Sequence, residues 1–196
     1  MLVEWSQFIK EGLPGLPSMP GLPTGEKKAS VTIGVFDGVH RGHRALIERV
    51  VSHNAENVPV VITFRENHKT TGNEPKDIQT FEQRLTLFEK LGVQITIVVD
   101  FNEAFRKMPG IDFFEILSKR CNIGVFAVGS AFRCGYQLDT DAAAIQKFFA
   151  SRGIPVEIIP EVLEDSLPIS SSRIRAAIAA GDLRLAEAML GRPLNG

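Results

Sequence analysis

Short apolar runs separated by longer amphipathic stretches set the rhythm of this chain. Val31–Phe36, Val58–Thr63, Ile95–Val99, Val125–Val128 and Val156–Ile159 are brief and rich in β-branched side chains, which predicts five buried strands. Between them, apolar residues return at helical spacing. Ala45, Leu46, Ile47, Val50 and Val51 place one helix with its start near Gly42. Phe81, Leu85, Phe88 and Leu91 mark another, stopped by Gly92, and Phe113, Phe114, Ile116 and Leu117 a third. Ala142–Ala150 is helical as well. Two helices close the chain, one through Arg173–Ile178 ending at Gly181, the other over Leu183–Leu190, capped by Asp182 and ended by Gly191 and Pro193. Strand and helix alternate, so the fold class is α/β: a mostly parallel five-stranded sheet covered by helices on both faces.

Two stretches break the rhythm. Residues 12–23 carry proline at every third position, which suits an extended surface loop. Arg65–Lys76, with Gly72 and Pro75, has the composition of a loop. Residues 3–10 suit a short strand or a helical turn.

Composition narrows the partners. Lys and Arg number 22 against 23 Asp and Glu, a net charge of −1, so nothing draws the whole molecule to nucleic acid or to a membrane surface. Any anion site must be local. Cys121 and Cys134 are too few for a disulfide framework, and no apolar run approaches the ~18 residues of a membrane span, so the expected location is the cytoplasm. Protein partners are not legible.

Local chemistry concentrates at two places. In Ile33–His43, a strand runs into the turn Asp37-Gly38 and then a helix start flanked by His40 and His43. Backbone N–H groups and the helix dipole make such a terminus an anion site. Two histidines three apart would share a face and reach one polyphosphate, which favours their protonated form, and Gly42 clears the backbone for a phosphate. HxxH is also half of a zinc site, but no CxxC or second His pair completes one. The second place is Ile169–Arg175. Ser170, Ser171 and Ser172 open a helix, and one N-cap serine explains only one of the three. Hydroxyls and helix amides suit phosphate oxygens, with a guanidinium as clamp. Arg173 and Arg175 cannot face the same way, so one should contact ligand and the other be structural.

The run GVFDGVHRGH resembles the G-x-F-D-x-x-H-x-G-H signature of a nucleotidyltransferase superfamily, in the FDGVHxGH version of the adenylyltransferase module of bacterial FAD synthetases, the bifunctional riboflavin kinase/FMN adenylyltransferases. ISSSRIR resembles the I-S-S-T-x-x-R motif of the same superfamily, with Ser172 at the usual threonine, and GDLRLAEAMLGRP resembles the module's closing helix. The resemblance spans roughly residues 31–193. It implies a Rossmann-like nucleotidyltransferase fold and the reaction FMN + ATP → FAD + pyrophosphate. His40, His43 and Arg175 would be catalytic. Gly34, Phe36, Asp37, Gly38, Gly42 and Ser170–Ser172 would hold the nucleotide, and Phe64, Gly129, Phe132 and Arg133 would lie toward the acceptor, with Phe101 as a further apolar wall. Mg²⁺ would arrive with ATP on phosphate oxygens rather than in a protein cage. Residues 1–196 are expected to form one nucleotidyltransferase domain behind a Pro/Gly-rich extension (1–30), without the kinase domain that follows L-G-R-P in the bifunctional proteins.

Some residues depart from the pattern. Where the family has T-F-x-P-H-P, this chain reads Thr63-Phe64-Arg65-Glu66-Asn67-His68. Where it has G-x-D/N-F-x-F-G, the chain reads Gly129-Ser130-Ala131-Phe132-Arg133-Cys134-Gly135, so Ala131 offers no polar side chain and Cys134 is smaller than phenylalanine. These changes fall on the acceptor side. A non-catalytic flavin or adenine-nucleotide binding relative, and a nucleotidyltransferase with another phosphorylated acceptor, are the alternatives. Release of pyrophosphate separates the first from an enzyme, and an acceptor screen separates the second.

Overall fold

The computed structural model describes residues 1–13, 27–65 and 77–194. Most of the proline triplets, and the polar run beyond Arg65 with Asn67 and His68, lie outside them.

In chain order the elements are β1 (Leu2–Glu4), α1 (Trp5–Glu11), β2 (Lys28–Ile33), α2 (Arg41–Val51), β3 (Asn57–Phe64), α3 (Phe81–Lys90), β4 (Ile95–Val99), α4 (Glu103–Arg106), α5 (Gly110–Arg120) and β5 (Ile123–Gly129). A two-stranded ribbon, β6 (Arg133–Cys134) with β7 (Thr140–Asp141), precedes α6 (Ala142–Ala150) and β8 (Val156–Ile159). The hairpin β9 (Leu163–Glu164) and β10 (Leu167–Pro168) leads into α7 (Ser171–Ala179) and α8 (Leu183–Leu190).

The five-stranded, mostly parallel sheet expected from the sequence is a six-stranded one in which every neighbouring pair is parallel, in the order β1-β4-β3-β2-β5-β8. The added strand is β1, three residues at the edge against β4, too short for a periodicity signal. Residues 3–10 are therefore both things the sequence allowed, a strand end and then a helix.

Side-chain alternation feeds two faces. Val60 and Ile62 point into the larger core with α1, α5 and α6, where Phe8, Phe114, Leu117 and Phe149 are buried. Val61 points the other way, with Ile47 of α2 and Phe88 of α3. A third cluster joins α7 and α8 through Ile174, Met189 and Leu190. From β2 the chain winds out to β3 and β4, then returns across to β5 and β8, so the winding reverses at β2. Beyond the carboxyl end of such a strand neighbouring loops diverge and leave a crevice. The turn after β2 opens into it.

Candidate active site

The apolar run Val31–Phe36 is not all strand. β2 ends at Ile33, and Phe36 sits in the turn at φ 55° with its ring fully buried. Gly34 makes this possible, because a Cβ there would stand 3.1 Å from the Phe36 ring. The ring then packs edge-on against Phe88 at 5.6 Å and His43 at 5.2 Å. Asp37 follows, 2% exposed, and is fixed from two sides. Its Oδ1 accepts from the Ile78 N–H at 2.9 Å and its Oδ2 from Arg175 Nη1 at 2.7 Å. Burial raises its pKa above the ordinary carboxylate value, opposed by the Ile78 N–H and by Arg175.

α2 begins at Arg41, one residue before the expected start, and His40 is its N-cap. The imidazole Nδ1 accepts from the His43 N–H at 3.2 Å. The two rings stack, with centroids 3.5 Å apart and planes 18° off parallel. Gly42 borders the cavity, and its missing Cβ also leaves space for the His40 ring, which an added Cβ would meet at 3.2 Å. In the protein alone His40 is not the protonated donor that a bound polyanion would favour. Burial first, and the Arg192 charge second, push its pKa down to about 4. At neutral pH it is a neutral imidazole whose Nδ1 accepts, which leaves Nε2–H as the donor.

This has a measurable consequence. The unfolded chain takes up the His40 proton near pH ~6.5, the folded chain only near 4. His40 therefore contributes stability that is full above about 6.5 and is lost as pH falls toward 4, about 3 kcal/mol in all. His40→Asn, which keeps an N-cap acceptor but does not titrate, should flatten that slope in urea unfolding at pH 7 and pH 4.5. Asp37, whose raised pKa acts with the opposite sign, is common to both proteins and drops out of the difference. Equal slopes would remove His40 from the account.

At the second cluster Ser170 is the N-cap of α7, its hydroxyl accepting from the Arg173 N–H at 3.2 Å. Ser171 Oγ donates to the Asp37 carbonyl at 2.9 Å, so the two motifs touch directly. The two arginines are held differently. Arg173 Nη1 donates to the carbonyls of Glu164 and Leu167 at 2.8 and 3.0 Å, holding the β9–β10 hairpin. Arg175 is 6% exposed, and its Nη2 donates to Ser172 Oγ at 3.3 Å.

Both clusters line one cavity of about 480 Å³, a size ordinary for small-molecule sites. Every candidate residue borders it except Gly38, whose φ of +84° serves the turn itself, where an added Cβ would meet Ile78 at 2.9 Å. One end is polar, with His40, His43, Ser170–Ser172 and Arg175. The other is aromatic. Phe64, Phe101 and Phe105 meet at centroid distances of 5.4 to 5.9 Å, and Phe132 completes the wall. Gly129, Ala131 and Cys134 border the cavity as well, and Arg133, also in its lining, faces Asp141 at 3.8 Å. Sequence reasoning missed Phe105, Met108 and Phe113, whose spacing reads equally as helix core, and Ile159–Val162, which only the strand-end rule points to. Among the described residues no group of three or more His, Cys, Asp or Glu side chains is placed to hold a metal ion, and the Asp37 carboxylate is already occupied. Among them, too, no helix is long and apolar enough to cross a membrane.

Comparison with known proteins adds the lineage. The chain is 31% identical over 169 residues to the bifunctional riboflavin kinase/FMN adenylyltransferase of Escherichia coli (strain K12), covering 83% of this chain and 54% of that protein. The protein of the same description from Pseudomonas fluorescens is 33% identical over 172 residues, covering 84% of this chain and 54% of the other. The chain thus spans about half the length of the curated relatives it matches. Among solved structures, a macrolide-efflux protein from Streptococcus pneumoniae superposes with a TM-score of 0.74 at 28% identity, covering 87% of this chain and 67% of that one. A pantoate-β-alanine ligase from Francisella tularensis shares the fold alone, at a TM-score of 0.55 and 12% identity over 97% of this chain and 85% of the other. The family model described as FAD synthetase matches residues 22–173, the stretch that carries β2 through the first turn of α7, with His40, His43 and Ser170–Ser172 inside it and Arg175 just beyond its end, and this chain belongs to the FAD synthetase family.

Proposed function

We propose that this chain transfers the adenylyl group of ATP to FMN, giving FAD and pyrophosphate. The observation that carries the reading is the direct junction of the two motifs, Ser171 and Arg175 both bonded to Asp37, along one wall of a cavity whose far end is aromatic. A nucleotide tail fits the polar end and an isoalloxazine ring the other.

A phosphate oxygen of FMN attacks the α-phosphorus of ATP, the new P–O bond forms, and the bond to the pyrophosphate oxygen breaks. FMN phosphate is already an anion, so no protein base is needed. The protein's task is alignment and charge stabilisation. His40 Nε2–H and the His43 ring face the triphosphate, while Ser170–Ser172 and Arg175 hold its far end. Mg²⁺ would arrive with ATP, carried mainly by phosphate oxygens, and would supply charge neutralisation there. Residues 1–196 act as one nucleotidyltransferase domain in the cytoplasm.

Ala131 favours a second reading. With no polar side chain at that point of the acceptor end, a phosphorylated acceptor other than FMN, or binding without transfer, fits the same cavity. The test is purified protein with Mg-ATP and FMN, riboflavin or another phosphorylated acceptor, read by chromatography and by pyrophosphate. FAD from FMN but not riboflavin, with equimolar pyrophosphate, is the expected result. Bound nucleotide without pyrophosphate would select the binding reading instead.

A further inference from the structure

Arg84, in α3, is 1% exposed and does not border the cavity. A cation so placed needs a reason, since its removal from water is expensive. Its Nη1 donates to three oxygens: the carbonyl of Val35 at 2.6 Å, the carbonyl of Phe64 at 2.8 Å and Thr63 Oγ1 at 3.2 Å. Thr63 Oγ1 in turn donates to the Val35 carbonyl at 3.1 Å. The guanidinium also lies over the Phe81 ring at 5.3 Å, which fixes its plane.

These partners are not scattered. Val35 belongs to the turn that carries the phosphate-facing residues, and Phe64 ends β3 with its ring in the aromatic wall. One nitrogen therefore grips the two walls of the cavity where they diverge. In a trans peptide the N–H points opposite the carbonyl, so drawing the Val35 carbonyl toward Arg84 turns the Phe36 N–H away from it. It also explains how Phe36 stays at φ 55°, a left-handed conformation that a bulky residue keeps only where its surroundings enforce it.

The geometry points to Arg84 as a positioning residue for adenylyl transfer: held behind the site, it sets the spacing between the phosphate turn and the acceptor wall. This rests on the function proposed above. Since it aligns two substrates and touches neither, its loss should appear in kcat and leave KM for Mg-ATP and FMN within about twofold. A misplacement on the order of 1 Å lowers rate roughly 100-fold, the expected effect of Arg84→Met. Arg84→Lys, which restores a donor in a different geometry, should recover part of it. Thr63→Val is isosteric and serves where Arg84→Met fails to fold; losing one of the two donors on the Val35 carbonyl should lower kcat roughly fivefold.

Amide hydrogen exchange supplies a readout independent of turnover. The 34–38 segment should exchange faster in Arg84→Met or Thr63→Val than in the wild type, with the strands unchanged. Folded variants with wild-type kcat, or a loss carried wholly by KM for one substrate, would overturn the assignment. Wild-type protein that forms no FAD would instead overturn the function. Exchange still decides on Arg84 in that event, because an unaltered 34–38 segment rules out the clamp without any turnover.

Discussion

His43→Ala is expected to lower the turnover of FAD formation by about 10²–10³, the effect of removing one preorganised donor from a developing charge, or about 2.7–4 kcal/mol of barrier. The fold should survive. His43 is only half-buried in the first turn of α2, and its packing is with the His40 ring and the edge of Phe36. Losing such ring contacts costs about 0.5–1.5 kcal/mol, a small part of a typical folding stability of about 5–15 kcal/mol. The two magnitudes separate the explanations: a hundredfold loss cannot come from unfolding when the variant is still almost wholly folded. Turnover assayed beside a urea melt checks this, and near-wild-type turnover would remove His43 from the chemistry. The helix cap itself remains, because His40 Nδ1 accepts from the backbone N–H of position 43, which alanine keeps.

Where elements are bounded by their own punctuation, the sequence and the structure coincide. α6 and α8 run over the expected residues, Asp141 and Asp182 capping them and Gly191 closing α8 in the left-handed conformation. β4 and β8 do too, β4 as a buried strand, while β8 is only partly buried because it lies at the sheet edge. Legibility fails where one signal has two causes. The apolar run Val31–Phe36 looks uniform, yet Ile33 is buried as strand and Phe36 as the plug of a turn, and only Gly34 hints at the change. Gly42 lies close under an imidazole two residues away, a contact no spacing rule contains. The Asp37–Arg175 bond joins residues 138 positions apart. The sequence marks both as candidates for a phosphate site and says nothing of their pairing, because that depends on how α7 docks against the turn after β2. Arg84 is hidden for the same reason, being indistinguishable in sequence from a solvated helix cation.

That pairing makes Arg175→Met the variant with the largest expected cost to stability, about 3–5 kcal/mol, since it strands the Asp37 carboxylate, 2% exposed, without its cation. Turnover should fall as well, by roughly 10²–10³ if the guanidinium holds phosphate. A single variant cannot separate the two roles, but a second substitution can. Asp37→Asn retains an acceptor for the Ile78 N–H and removes the buried charge. In Asp37→Asn/Arg175→Met the buried carboxylate charge and its cation are removed together, so stability should return to within about 1–2 kcal/mol of the wild type. If Arg175 also contacts the nucleotide, turnover stays low in the double variant even though the protein is firmly folded. Bonds from Nη1 to Asp37 and from Nη2 to Ser172 use two of its five N–H groups, which leaves donors for phosphate oxygens on a residue that borders the cavity. Chemical denaturation and FAD formation measured on all four proteins of the cycle decide the matter. Turnover that recovers together with stability would mean Arg175 serves only to hold Asp37, and an Arg175→Met protein within about 1 kcal/mol of the wild type would mean that the buried pair is not what secures α7 to the turn after β2.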